Sequence, residues 1–91
     1  MSKYHVNYSK EAQKIMSKLD NSISDRITKW IDENLEGCEN PRWRGKALKG
    51  NLSGNWRYRI GSYRIIAKIE DDKILITVVD VDHRKQIYNR L

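Results

Sequence analysis

Apolar residues recur along this chain with two different periods, and the change from one to the other divides it. Near the start, "YHVNY" (Tyr4 to Tyr8) alternates weakly, which predicts a short strand. Ser9 then stands as a helix N-cap, followed by Ala12, Ile15, Met16 and Leu19 at the spacing of one helical stripe. Asp20-Asn21 breaks that helix. Ser22 with Asp25 resembles a capping box opening a second helix, whose apolar stripe is Ile23, Ile27, Trp30, Ile31 and Leu35, with Gly37 as its stop. A connection this short makes the two helices an antiparallel hairpin, each with one face to bury.

Loop chemistry follows, with Pro41, Gly45, Gly50 and Gly54, and then the period becomes two. "WRYRI" (Trp56 to Ile60) and "YRIIAKIE" (Tyr63 to Glu70) flank Gly61-Ser62, the two-residue loop with glycine first that marks a type II′ hairpin. "KILITVVDV" (Lys73 to Val81) is the next strand, after Asp71-Asp72. The expected order is β-α-α-β-β-β in one domain spanning residues 1–91. Its class is α+β, with the two-helix hairpin packed on a small antiparallel sheet.

The hairpin loop also sets a register. Ile60 faces Tyr63 and Arg59 faces Arg64, so Trp56, Tyr58, Ile60, Tyr63, Ile65 and Ala67 share the face turned to the helices. Arg57, Arg59 and Arg64 share the other. Like charges directly opposite each other in a sheet repel by up to about 1 kcal/mol. Folding gains nothing from such a pair, whereas a site for phosphate or carboxylate gains a fork of guanidinium donors on a rigid support. A solvated basic face is the competing explanation.

Composition sharpens this picture in one respect. The chain carries a net charge of +6, yet residues 40–69 contain eight basic side chains and no acid, and the remainder is slightly acidic. Such a local excess is the footprint of a polyanionic or acidic partner. The one cysteine, Cys38, can form no intramolecular disulfide, which fits a reducing compartment and a cytoplasmic location. No apolar leader or membrane-spanning run is present. His5 and His83 are far apart, no acidic cluster has ligand spacing, and no glycine-rich cradle joins a strand to a helix. Neither a metal, a cofactor nor nucleotide hydrolysis is therefore expected. The tail "DHRKQIYNRL" adds His83, Arg84, Lys85 and Tyr88 at the exit of the last strand, beside the strand of Arg64. A tyrosine hydroxyl can exchange a proton, and arginine can neutralise charge developing on phosphorus.

Leu48-Lys49-Gly50, Trp56-Arg57-Tyr58-Arg59, Gly61-Ser62-Tyr63-Arg64 and His83-Arg84 with Tyr88 together resemble the RelE branch of the RelE/ParE toxin superfamily. Order, spacing and both helices match, so the resemblance covers nearly the whole chain. It implies a toxin of a type II toxin–antitoxin pair that enters the ribosomal A site and cuts mRNA without a metal. The ribose 2′-hydroxyl attacks the adjacent phosphate, leaving a 2′,3′-cyclic phosphate and a free 5′-hydroxyl. By position, Arg57 and Arg59 would be catalytic or RNA-positioning, Arg64 would stabilise the phosphorane, Arg84 would do the same or orient the substrate, and Tyr88 would transfer protons. Relatives often have lysine at the first two positions. Because arginine stays protonated, the base is left to Tyr88 or His83. Arg42, Arg44, Lys46, Lys49, Lys68 and Lys85 would hold the RNA backbone. The implied partners are the ribosome with its mRNA and a cognate RelB-like antitoxin, in a hetero-oligomeric complex that binds DNA through the antitoxin. The competing function is that of a ParE-like toxin, which inhibits DNA gyrase by binding. A plain RNA-binding module is a third, disfavoured because Trp56, Tyr58 and Tyr63 point to the helices and leave the basic face without a stacking platform.

Overall fold

The computed structural model describes residues 3–83. Two helices, α1 (Lys10–Lys18) and α2 (Asn21–Asn34), cover one face of a five-stranded sheet in the order β1-β5-β4-β3-β2. The strands are β1 (His5–Tyr8), β2 (Lys46–Ala47), β3 (Asn55–Ile60), β4 (Tyr63–Glu70) and β5 (Leu75–His83). The α+β architecture expected from the periodicity is the one observed. The sheet, however, is mixed: β2 to β5 are antiparallel neighbours, and β1 runs parallel to β5 on the outer edge. Alternation along a strand reveals its faces but not its neighbour, and a parallel pair needs the kind of helical crossover that α1 and α2 supply.

Helix α1 begins where Ser9 caps it, its hydroxyl accepting from the Ala12 N–H at 3.1 Å. Helix α2 begins at Asn21 with Asp20 as its N-cap, two residues before the expected cap at Ser22. The Asp20 carbonyl takes the N–H groups of Ile23 and Ser24, and the Ser24 hydroxyl is drawn to the Met16 carbonyl at 2.7 Å. Ala12, Ile27, Ile31 and Leu35 from the helices meet Tyr58, Ile60, Ile65, Ala67, Ile76, Val78 and Val81 from the sheet in one buried core. Burying such aliphatic side chains contributes about 1.5–3 kcal/mol each before chain entropy is counted.

The β3–β4 hairpin has the expected register, with Ile60 paired to Tyr63 and Arg59 to Arg64. Gly61 takes φ +59° at the first loop position, which only glycine adopts without strain. The last strand starts at Leu75 rather than Lys73. Ile74 lies at φ +52°, rare for a branched side chain, and so ends the turn while its carbonyl accepts the His5 N–H that starts β1.

Two carboxylates tie the N-terminal strand to the rest. Glu36 accepts the Val6 N–H at 2.9 Å and contacts His5 Nδ1 at 3.0 Å, and the backbone bond chiefly holds its carboxyl below the ordinary 4.5. Asp71 accepts both Arg42 guanidinium bonds at 3.0 Å and the Tyr4 hydroxyl at 2.6 Å, and these hold it below the ordinary 3.8. A carboxylate with a lowered folded pKa contributes stability above its unfolded value and loses it as pH falls through the folded value. Melting temperature is therefore expected to drop on acidification below the ordinary carboxylate range. Glu36→Gln and Asp71→Asn should each start lower at neutral pH and flatten the profile, as thermal melts across that range would read.

Candidate functional site

On the sheet face away from the helices, strand alternation and register lay the cations out in rows. Lys46 on β2 stands opposite Arg57 on β3, which is followed by Ile66 on β4 and Asp80 on β5. One step along, Arg59 is followed by Arg64 and Asp82. Two like-charge pairs thus lie directly opposite each other, Lys46 with Arg57 and Arg59 with Arg64. The first was not legible in the sequence because β2 is only Lys46–Ala47, too short for a period. Each such pair opposes folding by up to about 1 kcal/mol, so the face is not arranged for stability alone.

Burial divides these residues. Arg59 is exposed and Arg57 half-buried, whereas Arg64 keeps only 4% of its surface, and Ile66 on the same face is also buried. Arg64 is therefore not the open guanidinium expected. It is a charge fixed within the sheet, with Arg59 on one side and Asp82 on the other. The acid-free run of sequence does not make an acid-free surface, since β5 brings Asp80 and Asp82 beside β4. The exposed positive charge beside them is carried by Arg44 in the loop before β2, Lys46 on β2 and Arg59 on β3.

That loop and its strands enclose a cavity of about 330 Å³, lined by Trp43, Arg44, Gly45, Lys46, Arg57 and Arg59. Its geometry is pinned from several sides. Pro41 is fully buried, and its carbonyl accepts the Tyr58 hydroxyl at 2.5 Å. Burial pushes that phenol well above its ordinary value, so it stays protonated as the donor. Gly45 lies so close to β3 that a Cβ there would come within 2.8 Å of the Arg57 carbonyl oxygen and of the Tyr58 ring.

The expected site residues are only partly brought together. Arg44, Lys46, Arg57 and Arg59 share the cavity. Lys68 is exposed on the same face of β4, and Lys49 is exposed in the β2–β3 connection, outside the cavity lining. Arg42 is committed elsewhere: its guanidinium holds Asp71 and lies 5.7 Å over the Trp56 ring. These contacts give it a role in the fold, beside the expected one of holding RNA. His83 pairs with Tyr63 and sits edge-on to that ring at 5.7 Å, so alternation places it on the helix side, away from the arginines. Arg84, Lys85 and Tyr88 lie outside the described residues. Among the described residues, no group of three or more His, Cys, Asp or Glu is arranged to hold a metal ion, and no helix is long and apolar enough to cross a membrane. The sequence reading missed Trp43, an aromatic between Arg42 and Arg44 whose only signal was that it belongs to no apolar stripe.

Comparison with known proteins gives consistent matches. The family model for the ParE toxin of type II toxin–antitoxin systems, parDE, matches residues 6–88. Toxin RelG of Mycobacterium tuberculosis is 30% identical over 87 residues, which cover 96% of this chain and 98% of that protein. The toxin–antitoxin complex RelBE2 of Mycobacterium tuberculosis contains a chain with a TM-score of 0.83 and 28% identity, covering 92% of this chain and 94% of its own. A chain of the RelB–RelE antitoxin–toxin complex from Methanococcus jannaschii has a TM-score of 0.68 and 26% identity, with 93% and 98% covered.

Proposed function

We propose, for a chain that belongs to the RelE/ParE superfamily of type II toxin–antitoxin toxins, that its activity is ribosome-dependent, metal-independent cleavage of mRNA in the A site. The observation that carries this reading is the cationic cavity on the sheet, where Arg44, Lys46, Arg57 and Arg59 converge beside the paired Arg59 and Arg64. A message threaded along this face would place its phosphates against guanidinium donors on rigid strands, which bind planar oxyanions in bidentate fashion.

In this reading the chemistry is transesterification. The ribose 2′-oxygen gives up its proton and bonds to phosphorus, and the 5′-oxygen leaves and takes a proton, producing a cyclic phosphate and a 5′-hydroxyl. Arg57 and Arg59 contact the phosphate, and Arg64 supplies a fixed positive charge beneath them as negative charge grows on the phosphorane. Arginine cannot take the proton. Between Tyr88 and His83, the position of His83 against Tyr63, on the helix side, favours Tyr88. Arg84 neutralises the phosphorane or orients the substrate, and Lys49, Lys68 and Lys85 hold the flanking backbone. A RelB-like antitoxin is the proposed partner, supported by relatives solved as RelB–RelE complexes.

One observation favours a second reading, inhibition of DNA gyrase by binding: the matching family model is that of the ParE toxin. Mapping transcript ends after expression in cells tests between them. In-frame cuts confined to translated regions are expected. A DNA-damage response with intact transcripts would replace the nuclease reading with the gyrase one.

A further inference from the structure

Trp30 and Trp56 pack against the core, but Trp43 leaves 76% of its surface in solvent. A single exposed apolar residue is ordinary. What surrounds this one is not. The turn that carries it is fastened on both sides. Before it, Asn40 Oδ1 accepts the Arg42 N–H at 3.0 Å, Pro41 is buried under the Tyr58 hydroxyl, and Arg42 is clamped to Asp71. After it, Gly45 presses against β3 with no room for a Cβ. The indole is thus held out from a rigid turn, and it forms one wall of a cavity whose other side chains are the four cations Arg44, Lys46, Arg57 and Arg59.

We propose that Trp43 is a stacking platform for one unpaired RNA base next to the scissile phosphate, with Arg44 and Lys46 taking the phosphate that follows it. This rests on the nuclease reading and names a binding residue for it. One aromatic face amid a cationic groove is the pattern by which proteins hold single-stranded nucleic acid. At about 330 Å³ the cavity is at the lower end of ligand pockets, which run from about 300 to 1,000 Å³. A protein partner fits less well. Aromatic hot spots in protein interfaces sit in pockets that close dry around them, whereas every side chain sharing this cavity with Trp43 is charged. Because the turn is already ordered, stacking loses little chain entropy.

The test uses the full chain with a short single-stranded RNA methylated at every 2′-oxygen, which binds but cannot be cut by 2′-hydroxyl attack. Trp43→Ala should weaken binding roughly tenfold or more, and Trp43→Phe should keep most of it. The salt dependence of Trp43→Ala should match the wild type, whereas Lys46→Ala should lower its slope by about one phosphate contact. Scanning an abasic nucleotide along the probe should find one position at which wild type and Trp43→Ala bind equally. If Trp43→Ala binds every probe as the wild type does while message is still cut on programmed ribosomes, the stacking role is wrong and the nuclease reading stands. If wild type neither binds the probe nor cuts message, both go. Should Trp43→Ala bind RNA normally but lose an acidic antitoxin segment, the indole is a protein contact instead.

Discussion

Arg59→Ala is expected to lower the single-turnover rate of message cleavage on ribosomes by about a hundredfold or more, with thermal stability unchanged or slightly raised. The two halves of that expectation come from different links in the chain of causes. Arg59 is exposed, so its loss opens no cavity, and it stands opposite Arg64, so its loss relieves a repulsion. Its guanidinium is one of those that a phosphate would meet in the cavity, so the same loss withdraws charge stabilisation from the transition state. Arg64 should behave otherwise. At 4% exposure it is built into the sheet beside Asp82, and removing it opens space within the sheet face and takes a cation away from beside that carboxylate. Arg64→Ala should therefore cost about 0.5–3 kcal/mol of stability, through lost packing, as well as activity. Melting curves and rates measured on the same preparations separate the two. If Arg59→Ala destabilises the fold and Arg64→Ala does not, the division of this face into an open and a buried arginine is wrong.

How far these assignments could be read from sequence depends on what each kind of pattern encodes. The β3–β4 register was legible because a two-residue loop with Gly61 leaves one pairing, and from it follow both faces of the hairpin. The parallel placement of β1 was not, since four half-exposed residues carry no information about the strand beside them. Lys46 opposite Arg57 escaped notice for the same reason. Charge counting leaves out what the fold brings to these cations. It does not reveal that Asp71, 29 residues from Arg42 in sequence, takes the Arg42 guanidinium. Nor does it reveal that β5 brings Asp80 and Asp82 to the face of Arg59 and Arg64. Trp43 carried no signal because it belongs to neither a helical stripe nor a strand period. In each case the missing information was a contact between residues distant in sequence.

The largest effect expected is that of the ribosome itself. The isolated protein should cut free RNA poorly, and programmed ribosomes should raise the rate by several orders of magnitude. The cavity gives the reason for this expectation. It offers cations and an indole, which in the proposed reading would hold a strand by its phosphates and one base, and arginine cannot accept the 2′-proton. Nothing among the described residues on that face grips the ribose so as to set its 2′-oxygen in line with the leaving 5′-oxygen. Aligning reacting groups of this kind is worth effective molarities of about 10⁵–10⁸ M, more than a shallow groove in a chain of 91 residues can enforce on a flexible strand. In the proposed reading, a decoding site that already fixes the message in a defined path would supply that alignment, and the toxin would add charge where the phosphorane forms. Rates should be compared on one transcript, free and on ribosomes, at matched salt, because phosphate contacts make naked-RNA binding strongly salt-dependent. Equal rates in the two conditions would mean that the protein carries its own alignment machinery. The division of labour between a cationic sheet and the ribosome would then have to be given up.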